Sequence, residues 1–253
     1  MSILDRFRLD DRVVLVTGAS SGLGVGFARA FAEAGADVAI AGRRADRLER
    51  TAELVRQAGR RALPVTADVS DPEQAYALVE EVVAEFGRVD VLVNNAGVAS
   101  AHPALRETPE QFRRVVDTNL NGCYWVAQGC GRVMRPGSSI INVSSILGVT
   151  TAGLPQAAYS ASKAALIGLT RDLAQQWSGR RGIRVNAVAP GFFASEMTEQ
   201  YAPGYLEDIM PRVLLRRMGR VDELAATLVW MASEAGGYLT GQTVVVDGGF
   251  TVT

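Results

Sequence analysis

Short apolar runs alternate with amphipathic stretches along the whole chain. Seven of the runs have the length of buried strands, at residues 12–17, 37–41, 62–67, 89–93, 139–143, 183–188 and 243–246. Polar and apolar residues follow a helical period over 23–34, 45–58, 72–86, 109–134, 156–177 and 222–233. Continuous apolar strands separated by helices predict an α/β protein with a seven-stranded, mostly parallel sheet and helices on both faces.

No repeat, low-complexity segment or linker interrupts this pattern, so we predict a single domain over residues 1–253. The longest irregular stretch covers residues 191–220 and contains Pro203, Gly204 and Pro211. A long loop in a compact domain often forms a lid over a site, and we predict a substrate lid here. A plain surface excursion is the alternative.

Composition narrows the class of protein further. Hydrophobic residues make up 48% of the chain and charged residues 21%, and the net charge of −1 comes from interspersed acids and bases. This balance is typical of a globular protein and offers no basic surface for nucleic acid. No run approaches the roughly 18 apolar residues of a membrane span, and charged residues near the N-terminus leave no core for a signal peptide. We expect a cytoplasmic protein without membrane or nucleic-acid partners.

The sequence offers little for metal or histidine chemistry. Cys123 and Cys130 lie seven residues apart in a predicted helix, which is about 10 Å. A disulfide needs Cα atoms within about 7 Å, so we expect free, packed thiols. The only histidine, His102, lies beside Pro103 in a predicted loop. It leaves no Ser–His pair and no set of metal ligands, although it could touch the rim of a substrate pocket.

The first predicted strand leads directly into a glycine-rich loop, residues 17–24, and a helix follows. Glycines let a chain turn tightly, and they let backbone N–H groups approach a pyrophosphate at the helix N-terminus. The spacing Gly-x-x-x-Gly-x-Gly differs from the common Gly-x-Gly-x-x-Gly, but the position favours a dinucleotide site. The predicted cofactor contacts in this loop are Gly18, Ser20, Ser21, Gly22, Leu23 and Gly24.

The end of the second predicted strand indicates which dinucleotide is bound. An acidic residue there would bind the adenosine ribose and favour NAD(H), whereas this chain has Gly42-Arg43-Arg44. A guanidinium suits a 2′-phosphate because it can donate paired hydrogen bonds to the oxygens. We predict a preference for NADP(H), carried by Arg43 with help from Ser20 and with Arg44 as a further contact. Two alternatives stay open. NAD(H) could be the cofactor, and Arg43 could be merely solvated in a turn without contacting a cofactor.

A tyrosine and a lysine lie four residues apart near the start of the helix predicted over 156–177. Tyr159 and Lys163 therefore share one helix face. A cation near a phenol lowers its pKa from about 10, so such a tyrosine can exchange a proton with a carbonyl or alcohol oxygen. Lys163 is the only lysine among the 26 Lys and Arg residues. Its compact ammonium can reach a ribose hydroxyl and a phenol together.

Further motifs accompany this pair in a fixed order. They are Asp68-Val69, Asn94-Asn95-Ala96-Gly97, Asn119, Ser144-Ser145 and Pro190-Gly191. Together with the glycine loop and the Tyr–Lys pair, they resemble the short-chain dehydrogenase/reductase family over essentially the full length. The pattern is most similar to 3-oxoacyl-(acyl carrier protein) reductases and gluconate 5-dehydrogenase-like ketone reductases. The resemblance implies a Rossmann fold and a homotetramer, and it accounts for the glycine spacing.

The resemblance also implies a role for each matching residue. Tyr159 would be the catalytic acid/base, and Lys163 would bind the nicotinamide ribose. Asn119 would anchor a water that connects Lys163 to solvent. Ser145 would hold the substrate oxygen, with Ser144 as the alternative. The other implied cofactor contacts are Asp68 and Val69 at the adenine, Asn95, Ala96 and Gly97 along the cofactor, and Pro190, Gly191, Phe193 and Ser195 near the nicotinamide.

The predicted substrate pocket is largely apolar and consists of Ser145, Leu147, Gly153, Leu154, Gln156 and Phe192. We predict an oxidoreductase that reversibly reduces a ketone or 3-oxo group to a secondary alcohol with NADPH, with Tyr159 as proton donor. One alternative is an NAD-dependent alcohol or polyol dehydrogenase of the same family. The other is a cofactor-binding sensor without turnover, which would be expected to lack the tyrosine or the lysine.

Overall fold

One parallel sheet organises the computed structural model, which describes residues 2–194, 196, 198 and 202–253. Within these residues seven strands pair in the order β3-β2-β1-β4-β5-β6-β7, and every pairing is parallel. The predicted α/β class is confirmed. The strands are β1 (Val13–Thr17), β2 (Asp37–Gly42), β3 (Ala62–Thr66), β4 (Val91–Asn94), β5 (Ser139–Val143), β6 (Arg184–Pro190) and β7 (Thr243–Val246).

Helices connect the strands and cover both faces of the sheet. Those in the described residues are α1 (Gly22–Glu33), α2 (Ala45–Gln57), α3 (Pro72–Phe86), α4 (Pro109–Val116), α5 (Gly122–Val133), α6 (Ala157–Arg181), α7 (Tyr205–Ile209) and α8 (Val221–Ala232). The chain moves outward from β1 to β3 and then returns to β4 on the other side of β1. Such a reversal leaves a crevice at the carboxyl ends of the two central strands.

Two hydrophobic cores lie on opposite faces of this sheet. Val14 and Val16 of β1 contribute to one core, which also holds Phe27 and Phe31 of α1. Leu15, between the two valines, contributes to the other core with residues of α3 and α5. Because both faces of the central strands are buried, the strands appear in the sequence as continuous apolar runs.

Two predicted helix starts have the local chemistry that fixes them. The Asp71 carboxylate accepts hydrogen bonds from the backbone N–H groups of Glu73 and Gln74 at the start of α3. At the start of α4, Thr108 and Gln111 form a reciprocal capping box. In both helices a proline occupies the first position, where the missing N–H costs nothing.

The predicted helix over 109–134 is interrupted. It consists of α4, a π-helical turn at Asp117–Asn121, and α5. The wider turn coincides with Asn119, whose side chain bonds the backbone of Val98 instead of facing solvent. Cys123 and Cys130 are buried free thiols, as predicted.

A buried carboxylate ties together the amino end of the central strands. The side chain of Asp90, just before β4, is 3% exposed. It accepts hydrogen bonds from the backbone N–H of Val13 at 2.9 Å, from Arg88 at 2.6 Å and from Arg12 at 3.3 Å. We call Arg12, Arg88 and Asp90 the amino-end cluster.

None of the helices in the described part of the chain combines the length and the apolar character that crossing a membrane requires.

Candidate active site

A groove of about 570 Å³ opens at the carboxyl end of the sheet, beside the crevice between β1 and β4. Among the described residues, every predicted cofactor contact except Gly24 lines this groove. The predicted contact Ser195 lies outside the described residues. Those on the groove are Gly18, Ser20, Ser21, Gly22, Leu23, Arg43, Arg44, Asp68, Val69, Asn95, Ala96, Gly97, Tyr159, Lys163, Pro190, Gly191 and Phe193.

The floor of the groove is made of two backbone loops in close contact. Gly18 has a φ of +66°, and a Cβ there would lie 2.7 Å from the Cα of Ala96. The Asn95 side-chain amide donates to the carbonyls of Thr17 and Gly18 at 2.9 and 3.1 Å. Gly24 lies behind this floor, where a Cβ would be 2.5 Å from the Gly18 oxygen. The two glycines thus allow the glycine loop, the loop after β4 and the start of α1 to pack this closely.

The two arginines after β2 make different contacts. Arg44 donates to the hydroxyls of Ser20 at 3.1 Å and Ser21 at 2.6 Å. Arg43 lies 3.7 Å from the carboxylate of Asp68, and its side chain is 65% exposed. Arg43 is therefore paired as well as solvated. Of the two arginines, it is Arg44 that holds the serines of the glycine loop.

Glu196, which follows Arg44 by 152 residues in the chain, also contacts Arg44. Its carboxylate pairs with Arg44 at 3.3 Å and accepts a hydrogen bond from Arg47 of α2. Burial by itself would raise the pKa of this carboxyl, but hydrogen bonds from Ser21, Arg47 and Arg44 outweigh it and lower the pKa. We call Arg44, Arg47 and Glu196 the groove cluster.

The Tyr–Lys pair of α6 lies at the opposite end of the groove from the arginines. The Lys163 ammonium is 5.6 Å from the centre of the Tyr159 ring and donates a hydrogen bond to the Val143 carbonyl at 2.7 Å. Only 4% of Lys163 is exposed, and this burial lowers its pKa. One helical turn therefore presents a phenol and a buried amine to the same wall.

Asn119 lies behind that wall and not on the groove. It is fully buried, accepts from the Val98 N–H at 2.8 Å, and donates to the Val98 carbonyl at 2.9 Å and to Ser162 at 3.1 Å. Ser162 in turn donates to the Tyr159 carbonyl at 2.7 Å. The π-helical turn therefore joins the loop after β4 to the start of α6. The predicted water at Asn119 stays a prediction.

The contacts of the two adjacent serines favour the second one as a substrate contact. The Ser144 hydroxyl donates to the Lys163 carbonyl at 2.7 Å, which uses its only proton. The Ser145 hydroxyl instead accepts from the Leu147 N–H at 3.1 Å. Its proton is therefore available to an oxygen in the groove.

The predicted substrate residues divide into two groups. Ser145, Leu147 and Phe192 lie on the groove, whereas Gly153, Leu154 and Gln156 do not. Gly153 is exposed in a turn with a φ of +72°, and Gln156 is buried at the start of α6. The segment that carries these three residues therefore runs outside the groove.

An aromatic cluster surrounds Phe192, at the end of the groove where we predict the substrate. Phe192 packs against the rings of Tyr205 and Phe250, with ring centres 6.3 and 5.4 Å apart. The Tyr205 hydroxyl donates to the Ala152 carbonyl at 2.7 Å, which fixes α7 beside the site. The segment predicted as a lid thus contains a short helix that packs against Phe192, and its role as a lid stays a prediction.

Several groove residues were not found from the sequence. Arg114 and Thr118 line it from α4 and the π-helical turn, and Glu196 and Thr198 line it from the segment after β6. The helical spacing of Arg114 and Thr118 ahead of Asn119 was an available signal. For Glu196 there was none, because its partners lie about 150 residues away in the chain.

Known proteins match this chain over nearly its whole length. The family model described as Enoyl-(Acyl carrier protein) reductase matches residues 18–251. The 2-dehydro-3-deoxy-D-gluconate 5-dehydrogenase of Dickeya dadantii is 39% identical, with 98% of each chain covered. The galactitol 2-dehydrogenase (L-tagatose-forming) of Cereibacter sphaeroides is 41% identical, with 97% of each chain covered. The 3-oxoacyl-[acyl-carrier-protein] reductase FabG of Staphylococcus aureus is 39% identical and covers 93% of this chain and 96% of its own length.

Solved structures agree with these relatives. A short-chain type dehydrogenase/reductase from Mycobacterium marinum superimposes with a TM-score of 0.95 at 37% identity, with 100% of both chains covered. A short chain dehydrogenase from Burkholderia cenocepacia, in complex with NADP, gives a TM-score of 0.92 at 32% identity. It covers 96% of this chain and 99% of its own.

Proposed function

Because the chain belongs to the short-chain dehydrogenase/reductase family, and is thus an oxidoreductase, we propose that it reduces a ketone or 3-oxo group to a secondary alcohol, reversibly, with NADPH. The observation that carries this proposal is the placement of Tyr159, Lys163 and Ser145 on one wall of the groove. They are a proton donor, a cation and a second hydroxyl, and all three can act on one developing oxyanion.

The groove fits a dinucleotide with a 2′-phosphate. The glycine loop lines the groove and leads into the N-terminus of α1, where Ser21 makes no side-chain cap. Arg43 and Arg44 stand where the adenosine end would lie. When bound, NADPH supplies the hydride that the carbonyl carbon receives.

The chain's own residues supply the proton and hold the substrate. Tyr159 would donate its hydroxyl proton to the carbonyl oxygen, and Ser145 would donate a hydrogen bond to the same oxygen. The Lys163 ammonium, 5.6 Å from the Tyr159 ring centre, would stabilise the phenolate that results. In the reverse direction that phenolate would take the proton of an alcohol. Leu147 and Phe192 would exclude water from this end.

A second candidate is oxidation of a polyol or sugar acid with NAD. The relative from Cereibacter is named a galactitol dehydrogenase and the one from Dickeya a gluconate derivative's dehydrogenase, at identities similar to that of the FabG reductase. Arginines stand after β2 in place of an acidic residue, and they favour NADPH as the cofactor over NAD. Family resemblance also leads us to propose a homotetramer.

Steady-state assays with ketones, 3-oxoacyl thioesters and sugar acids test the proposal. We expect kcat/KM to be at least about tenfold higher with NADPH than with NADH. Tyr159→Phe should lower kcat/KM by about 10² to 10⁴-fold while NADPH binding, followed by fluorescence, persists. Tyr124→Phe is the control, because that hydroxyl contacts Gln128 away from the groove. A preference for NADH would overturn the cofactor assignment, and full activity in Tyr159→Phe would overturn the mechanism.

A further inference from the structure

A carboxylate of the chain itself, that of Glu196, lies beside the arginines that follow β2. The Glu196 carboxylate pairs with Arg44 at 3.3 Å and accepts from Arg47. Arg44 holds Ser20 and Ser21 through the same guanidinium. Two guanidinium groups and two hydroxyls are a donor set that suits a phosphate.

Stability does not explain this arrangement. The side chains of Arg44, Arg47 and Glu196 are 40%, 41% and 45% exposed. Exposed ion pairs contribute little to the free energy of folding. Among the described residues, Glu196 bonds the side chains of arginines and a serine, whereas the buried Asp90 also accepts from a backbone N–H. A carboxylate held this loosely can leave its arginines when a stronger anion arrives.

Resting on the proposed NADP(H) function, we propose that Glu196 is a specificity-determining residue that competes with the cofactor's 2′-phosphate for Arg44 and Arg47. Binding of NADP(H) must displace the carboxylate from its arginines. NAD(H) carries a hydroxyl at that position and has no such anion to place there. Glu196 therefore weakens the discrimination between the two cofactors that the arginines would otherwise give.

The charges support competition. A phosphate monoester carries about −1.5 to −2 charges at pH 7, and it would meet the carboxylate of Glu196 at the same guanidinium groups. With Glu196 neutralised, no carboxylate offsets the positive charge of Arg44 and of the neighbouring Arg47 when the phosphate approaches.

Calorimetric titration with adenosine 2′,5′-bisphosphate and with 5′-AMP tests this role without any turnover. These probes differ only in the 2′-phosphate. In Glu196→Gln we expect the Kd for the bisphosphate to fall about three- to fivefold at low salt, while the Kd for 5′-AMP stays within twofold. Glu85→Gln is the matched control, because it removes an arginine-paired carboxylate that is 49% exposed and contacts Arg61.

Each outcome decides one question. Selective tightening of the bisphosphate in Glu196→Gln, absent from Glu85→Gln, supports competition. Unchanged or weaker binding of the bisphosphate overturns it, because Glu196 would then be inert or would position the arginines. Equal tightening of both nucleotides overturns it too, since that is a general charge effect. The ratio of the two Kd values in the unsubstituted protein separately tests the proposed cofactor preference.

Discussion

Two arginine–carboxylate clusters occupy opposite ends of the same sheet. In the amino-end cluster the Asp90 side chain is 3% exposed and also accepts from the backbone of β1. In the groove cluster the Glu196 side chain is 45% exposed and contacts arginine and serine side chains. Each cluster consists of two arginines and one acid, so burial and the backbone contact are what distinguish them.

This difference separates a structural ion pair from an exchangeable one. Removing one partner of a buried pair leaves the other without compensation, which is strongly destabilising. Removing one partner of an exposed pair costs little, because water replaces it. The sheet therefore has a fixed end, where the strands begin, and an end open to ligands, where they finish.

The largest expected effect tests the fixed end. Asp90→Asn should lower the free energy of unfolding by about 3 kcal/mol, because Arg12 and Arg88 lose their carboxylate and the Val13 N–H loses a charged acceptor. Urea denaturation measures this loss. Affinity for adenosine 2′,5′-bisphosphate should stay unchanged in the folded variant.

Glu85→Gln serves as the control at the same end, because Arg61 and Glu85 are 57% and 49% exposed. Its unfolding free energy should stay within about 0.5 kcal/mol of the unsubstituted protein. Equal losses in Asp90→Asn and Glu85→Gln would show that burial does not distinguish these pairs.

An intermediate effect tests the open end. Arg44→Met should weaken binding of adenosine 2′,5′-bisphosphate by about tenfold, because a hydrogen-bonded charged donor is removed. Its unfolding free energy should change little, since the arginine is 40% exposed. Arg50→Met is the control, an exposed arginine on the same helix as Arg47. Equal affinities in the two variants would remove Arg44 from the phosphate site.

The smallest effect concerns pH. Hydrogen bonds from Arg217 and from the backbone of Arg220 lower the pKa of Glu223 from 4.5 to about 2. A depressed pKa means that the contribution to stability is complete above pH 4.5 and is lost as the pH falls towards 2. Glu223→Gln should be slightly less stable than the unsubstituted protein at pH 7, and the difference should vanish near pH 2.

Urea denaturation across this pH range measures that difference, with Glu110→Gln, 77% exposed and 3.7 Å from Arg113, as the control. A difference between Glu223→Gln and the unsubstituted protein that stays constant with pH would contradict the linkage.

The sequence predicted the sheet well because both of its faces are buried. The seven apolar runs match the seven strands closely, and Pro72 and Pro109 marked helix starts correctly. The π-helical turn at Asp117–Asn121 was missed because its cause is tertiary. The bonds from Asn119 to Val98 and Ser162 join parts of the chain that no local pattern connects.

For the site, the motifs predicted the residues at the carboxyl ends of the strands. They did not predict the residues that other segments bring to the groove. Arg43 and Arg44 were identified by position, yet only the folded chain shows that Arg44 holds the serines while Arg43 pairs with Asp68. Glu196 carries no motif. Gln156 was predicted in the pocket, but it is buried immediately before α6 and does not line the groove.

The π-helical turn affects which deletions the chain can tolerate. It contains about one residue more per turn than an α-helix, so losing a residue here changes the local structure. Deleting one residue within 117–121 would let α4 and α5 join as one regular α-helix without a large rotation of either, because the π-helical turn holds the extra residue. The wider turn that presents Asn119 to Val98 and Ser162 would be lost. Single-residue deletions should therefore be purged here, while the exposed loops tolerate them.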